Sequence, residues 1–259
     1  MRFGVCAGPH DAFKLAEAGY EYIELSVARD LIPEADDDTW VDKRNQLVSM
    51  RLVPEAFNSF VRTGKIVGPD ADSIWLRRYV DTALARAAEV GGKLIVLGSG
   101  GARNVPDGFS RETAIQQFRD FMGYCAEASD HSGVTVVIEP LRSAETNLIH
   151  GVREAAGHVK HLRRNGVQVL ADSYHMAEEG EDLDSLTTAS GHLAHVHTAD
   201  SGRTAPGTGT YDFAAWFRAL AAVGYDGRCS IEANWGDDFN ELLVPALETL
   251  RHAAGAAVR

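Results

Sequence analysis

Eight short apolar runs punctuate this chain, and most are followed by a stretch with helical spacing. The runs are Phe3–Cys6, Tyr22–Val27, Leu52–Phe57, Lys93–Leu97, Val134–Glu139, Val167–Asp172, Leu193–His197 and Arg228–Glu232. They are rich in Val, Ile and Leu and lack strict polar alternation. That pattern belongs to parallel strands covered on both faces. Between them, Ser73–Val90 carries Ile74, Leu76, Tyr79, Val80, Ala83, Leu84 and Ala87 at helical intervals. Arg111–Ala128 and Phe239–Ala253 read the same way, and Lys43–Met50 does so more weakly. Trp216, Leu220 and Val223 mark another helix, with Gly224 as its stop.

Eight strand–helix units of roughly 30 residues each use the whole chain. An open doubly wound sheet also alternates strands and helices, but usually with fewer strands. The expected fold is therefore α/β, a single (β/α)8 TIM barrel, with residues 1–259 forming one domain.

Acidic residues outnumber basic ones by 37 to 25, a net charge of −12, which disfavours nucleic-acid backbones as partners. The opening MRFGVCAGPHDAF has no long apolar run, so neither a signal peptide nor a membrane anchor is expected. Cys6, Cys125 and Cys229 are scattered and form no CxxC, which points to a reduced, cytoplasmic setting.

In such a barrel, chemistry sits where strands end. The fifth run ends on Glu139, the sixth on Asp172, the seventh carries His195 and His197, and the eighth ends on Glu232. Any one of these acids alone reads equally well as a helix cap or an ion-pair partner. Three carboxylates converging on one mouth without a cation would repel one another, and at least one would take up a proton. A divalent ion relieves that. Oxygen-rich ligation with one imidazole suits Mn²⁺, Mg²⁺ or Co²⁺, and admits Zn²⁺. His195 and His197 compete for the imidazole role, since period-2 alternation points both the same way. His197 lies nearer the mouth and is preferred, leaving His195 to support or pack.

Arg203 lies in a Gly/Pro-rich loop, suited to holding a hydroxyl or phosphate. Asp212 reads as an N-cap. Gly98–Gly101 lack a phosphate-loop pattern and read as a tight turn or lid base, with Arg103 only a possible polar contact. The stretch containing Phe60 and Val61 reads as a sugar-covering lid or as a packed loop. Glu24 and Glu55 are ambiguous between mouth and interior. Trp216 and Trp235 read as core, or as part of a subunit contact.

The strand ends IEP, ADSYH, HVH with RTAPGTG, and IEAN resemble the xylose-isomerase-like TIM-barrel superfamily of sugar isomerases and epimerases. Within it the likeness is closest to ketose 3-epimerases of the D-tagatose and D-psicose type. It is strongest from about residue 134 to 235, and architectural over the first hundred residues. The resemblance implies metal ligation by Glu139, Asp172, His197 and Glu232, with manganese the expected ion. It implies Glu139 and Glu232 as the catalytic acid/base pair, inverting C3 of a ketose through an enediolate. It also implies Glu145, His175 and Arg203 as substrate-binding residues, a small sugar as ligand, and a homo-oligomer.

The same site can run an aldose–ketose isomerisation, or epimerisation or β-elimination of a 3-oxo-glycoside. An endonuclease IV-like hydrolase would need a His array on the early strands, whose ends read CAG, LSV and AFN. A non-catalytic sugar-binding barrel would need no Glu139–Glu232 pair.

Overall fold

The computed structural model describes residues 1–257, so the last two residues of the expected 1–259 domain lie outside the described residues. Among the described residues, eight parallel strands close into a barrel in sequence order, the expected (β/α)8 architecture. They are β1 (Arg2–Cys6), β2 (Tyr22–Ser26), β3 (Pro54–Asn58), β4 (Leu94–Leu97), β5 (Thr135–Ile138), β6 (Val167–Asp172), β7 (Leu193–Thr198) and β8 (Arg228–Ile231). The ring closes where Arg2–Val5 pair with Arg228–Ile231.

The outer helices follow the expected periodicity. Ser73–Glu89 buries Leu76, Tyr79, Val80, Ala83, Leu84 and Ala87, but leaves Ile74 exposed at its first turn. Its N-terminus is capped by Asp72, which accepts the Ile74 and Trp75 N–H groups and satisfies two otherwise unpaired donors. Asp212 caps Phe213–Ala222 in the same way through the Ala215 N–H. Trp216 is fully buried within this helix, so it belongs to the core rather than to a subunit contact.

Inside the barrel, Tyr22, Ala56, Leu94, Val96, Val137 and Leu170 form a separate apolar plug. Gly4 is required there, because a Cβ at that position would lie 2.4 Å from the Tyr22 ring. At the N-terminal end, Glu55 accepts from Arg2 at 2.6 Å and from Arg228, tying β1, β3 and β8 together. That places Glu55 away from the mouth and gives it a structural role.

The stretch after β3 is packed, not a lid. Phe60 and Val61 are buried, and the Phe60 ring lies 5.9 Å from that of Phe121 and 6.1 Å from that of Tyr79. Among the described residues no helix is long and apolar enough to cross a membrane.

Candidate metal centre at the barrel mouth

Glu139 and Glu232 each stand one residue beyond their strands, β5 and β8, while Asp172 and His197 lie at or near the ends of β6 and β7. The short strands stop where these side chains begin, so all four project into one mouth. One ligand-type atom from each lies within 4.8 Å of the others. Asp172, Glu139 and His197 are buried, and Glu232 is partly open to the pocket above.

Asp172 is both a cap and a member of the cluster. Its Oδ1 accepts the Tyr174 and His175 N–H groups at 2.7 and 3.3 Å, starting the helix Ser173–Glu178. Its Oδ2 faces His197 Nδ1 at 3.9 Å. The cap fixes the carboxylate plane and thereby aims the second oxygen.

His197 is the centre of the arrangement. Its Nε2 lies 2.9 Å from Glu24 Oε1, while Nδ1 lies 3.1 Å from Glu139 Oε1 and 3.0 Å from Glu232 Oε2. A neutral imidazole has one proton to give. If Nε2–H points to Glu24, Nδ1 turns a lone pair toward three carboxylates, which is repulsive unless a proton or cation stands among them. Burial pulls the His197 pKa down, but Glu24, Cys6 and Glu232 outweigh it and hold it well above the ordinary value. Positive charge is therefore favoured at Nδ1, and a divalent cation would supply it. The donor chemistry, three carboxylates and one imidazole, fits such an ion. Glu232 Oε2 makes no aligned hydrogen bond, although Arg203 Nη2 and His197 Nδ1 stand 2.9 and 3.0 Å away.

Burial raises the Glu139 carboxyl above the usual range, with Glu232 adding to it. Burial acts in the same sense on Glu232, but His197 and Arg203 override it and lower that carboxyl to about 2.

The glycines after β4 make room for acids. A Cβ on Gly98 would lie 2.3 Å from Glu139 Oε2, and one on Gly100 would lie 2.7 Å from the Glu145 carbonyl oxygen. Arg103, expected as only a possible contact, is fully buried in this loop. Its guanidinium donates to the carbonyls of Leu97, Glu139 and Ile149 at 3.1, 2.8 and 3.4 Å. It therefore fixes the backbone from which Glu139 projects.

Glu145, His175 and Arg203 surround the cluster. Glu145 accepts from Arg142 Nε at 2.8 Å and lies 3.7 Å from Arg203. His175 Nδ1 accepts the Arg142 N–H at 3.3 Å, and its Nε2 is buried without a partner, 3.9 Å from Asp172 Oδ2. Arg203 reaches Glu232 Oε2 at 2.9 Å and stacks over Tyr174 at 5.1 Å. Above them opens a pocket of about 290 Å³ whose lining includes Arg29, Asn58, Ser59, Arg203, Glu232 and Asn234.

Several contributors were not assigned to the site from the sequence. Glu24 is fully buried beneath His197, and Ser230 sits beside it. The one charged residue inside the largely apolar YIELSV was the available signal for Glu24. Asp200 binds the loop after β7 and was visible only as one more loop acid.

A closed parallel barrel with an acidic and imidazole cluster at its C-terminal mouth has the layout of the (β/α)8 enzymes, whose chemistry sits at that face. The chain belongs to the xylose isomerase-like TIM barrel family, whose model matches residues 13–254. Among curated proteins it is 35% identical over 114 residues to a ketose 3-epimerase of Arthrobacter globiformis, covering 43% of this chain and 39% of that protein. It is 30% identical over 157 residues to a 3-dehydro-D-guloside 4-epimerase of Escherichia coli K12, covering 58% and 60%. These matches thus span less than two thirds of either relative's length. The crystal structure of a 3-keto-D-glucoside 4-epimerase from E. coli shares the fold at a TM-score of 0.81 and 24% identity, over 97% of this chain and 99% of that one.

Proposed function

We propose that this protein is a divalent-metal-dependent sugar epimerase that works through an enediolate, and that its substrate is a ketose inverted at C3. One observation carries the reading. Glu139 and Glu232, from β5 and β8, approach His197 Nδ1 at nearly equal distances of 3.1 and 3.0 Å. Two carboxylates thereby flank one centre. The similarity to a ketose 3-epimerase and to a 3-dehydro-glycoside 4-epimerase supports sugar epimerisation.

A divalent cation held by Glu139, Asp172, His197 and Glu232 would supply the positive charge that stabilises an enediolate. Manganese is our expectation for it, with magnesium, cobalt and zinc compatible with the same donors. One of the two glutamates removes the C3 proton from one face, and the other returns a proton to the opposite face. Stereochemistry inverts with no net redox change. Arg203, Glu145 and His175 line the approach. Arg203 donates to substrate oxygens, His175 offers its unpartnered Nε2, and Glu145 accepts a hydroxyl proton. The three free cysteines fit a reducing, cytoplasmic setting.

Proton NMR in D₂O tests the proposal. The chelated protein is reloaded with Mn²⁺, incubated with ketohexoses and ketopentoses, quenched, and stripped of metal before recording. Metal-dependent deuterium at C3 with a second epimer is the expected result. Deuterium at C1 with an aldose product would make the protein an isomerase. No exchange in any free sugar would overturn the ketose reading and direct the search to oxidised glycosides.

A further inference from the structure

Glu24 is a fully buried carboxylate to which the proposed reaction gives no task. It sits on β2 with both oxygens engaged. Its Oε1 meets His197 Nε2 at 2.9 Å. Its Oε2 accepts from Ser230 Oγ at 2.6 Å and meets His195 Nε2 at 2.9 Å. Tyr22 OH lies 2.9 Å from the same Ser230 hydroxyl. The donor directions are consistent: Tyr22 gives to Ser230, and Ser230 and both histidines give to Glu24. A carboxylate has only acceptors, so each imidazole must present its Nε2–H.

We infer that Glu24 is a positioning residue for His197: it fixes the tautomer with Nε2 protonated and turns the Nδ1 lone pair toward the oxygens of Glu139, Asp172 and Glu232. The inference rests on the metal reading above and deepens it. Three features of the structure make the assignment specific to Glu24. The His197 ring is fully buried, so no water offers Nε2 an alternative acceptor. His195 is spent on the other oxygen, with its own Nδ1 left unpartnered, and so stands as a donor that supports Glu24 and not as a ligand. Cys6 approaches the same side of His197, but His197, Ser230 and His195 already take three of the roughly four lone-pair positions of the Glu24 carboxylate. A carboxylate on the far nitrogen of a ligating imidazole orients the ring and makes the near nitrogen a stronger donor.

Glu24→Gln preserves shape and removes the charge. An amide has one oxygen for two Nε2–H groups, and its NH₂ must then face a donor. The test is Mn²⁺ and Zn²⁺ titration calorimetry of the parent, Glu24→Gln and Ser230→Ala, without any substrate. Metal binding by Glu24→Gln is expected to weaken by about 10–100-fold. Ser230→Ala keeps the carboxylate–imidazole bond and is expected to weaken it far less. Equal affinity in parent and Glu24→Gln would overturn the inference while leaving the metal site in place. A parent that binds neither ion would overturn both readings.

Should Glu24→Gln not fold, the tautomer is read directly in the Zn²⁺-loaded parent. Nitrogen-15 NMR of histidine-labelled protein, with His195→Gln to separate the two rings, is expected to show His197 protonated at Nε2 only. A proton on Nδ1 would overturn the inference.

Discussion

Arg203 holds Glu232: its Nη2 lies 2.9 Å from Oε2, on a residue whose backbone is itself in the left-handed region at φ 60°. The guanidinium thereby tethers one member of the proposed acid/base pair from the loop after β7. Replacing Glu232 by Gln keeps the size and a possible metal contact but removes the base. We expect turnover to fall by about 10²–10⁴-fold, with deuterium exchange at the substrate carbon lost to the same degree. Full exchange in this variant would remove Glu232 from the proton-transfer role.

Gly98 offers a cleaner perturbation of the partner acid. Its φ is not in the left-handed region, so Ala is tolerated by the backbone. The added Cβ, however, would come within 2.3 Å of Glu139 Oε2. Gly98→Ala should leave the melting temperature nearly unchanged while displacing Glu139 and weakening metal affinity. Calorimetric titration beside a melting curve separates the two effects.

Asp200 organises the loop that carries Arg203. Its Oδ1 accepts the Ser201 and Tyr211 N–H groups and its Oδ2 the Gly207 N–H, each at 2.8 Å. Burial alone would raise this carboxyl, but the backbone donors outweigh it and lower its pKa. The folded value lies below the unfolded one, so the associated stability is fully present above about pH 4 and is lost as pH falls through the folded value. Asp200→Asn offers one acceptor where two were needed and should cost about 1–3 kcal/mol. Thermal melts at pH 7 and amide exchange at Tyr211 measure it. A rise in KM exceeding the change in kcat would show that the loop's role is to place Arg203.

Arg103 is a buried cation whose burial lowers its pKa to about 10, leaving it protonated at neutral pH. Replacement by Met fills similar space but strands the Glu139 carbonyl, while the Leu97 and Ile149 carbonyls keep the N–H groups of Glu139 and Leu141. The stranded carbonyl and the lost tie across the loop cost about 1–3 kcal/mol. Arg103→Met should therefore lower the melting temperature strongly, in contrast to Gly98→Ala. A variant as stable as the parent would mean that water replaces the guanidinium.

Strand positions and the mouth-facing acids were legible because both follow from local pattern. A buried parallel strand must be apolar, and a polar residue ending one is conspicuous. Phe60 and Arg103 were left open for the converse reason. Each lies in a Gly-containing connection where hydropathy carries no directional information, and only the packing of Phe60 between Tyr79 and Phe121 makes it core. Glu24 was seen but not placed, since the strand pattern puts it on one of two faces without saying what waits there.

The amino-acid order by itself determined the eightfold alternation, the burial of both strand faces and the presence of acids at successive strand ends, all of which are short-range consequences of hydropathy and period. Only closure of the barrel decided that His197 belongs between Glu24 and the mouth acids. Those residues come from β2, β5, β6, β7 and β8, and His197 is 173 positions from Glu24. Which nitrogen faces which carboxylate depends on strand register and curvature, quantities that no local spacing contains.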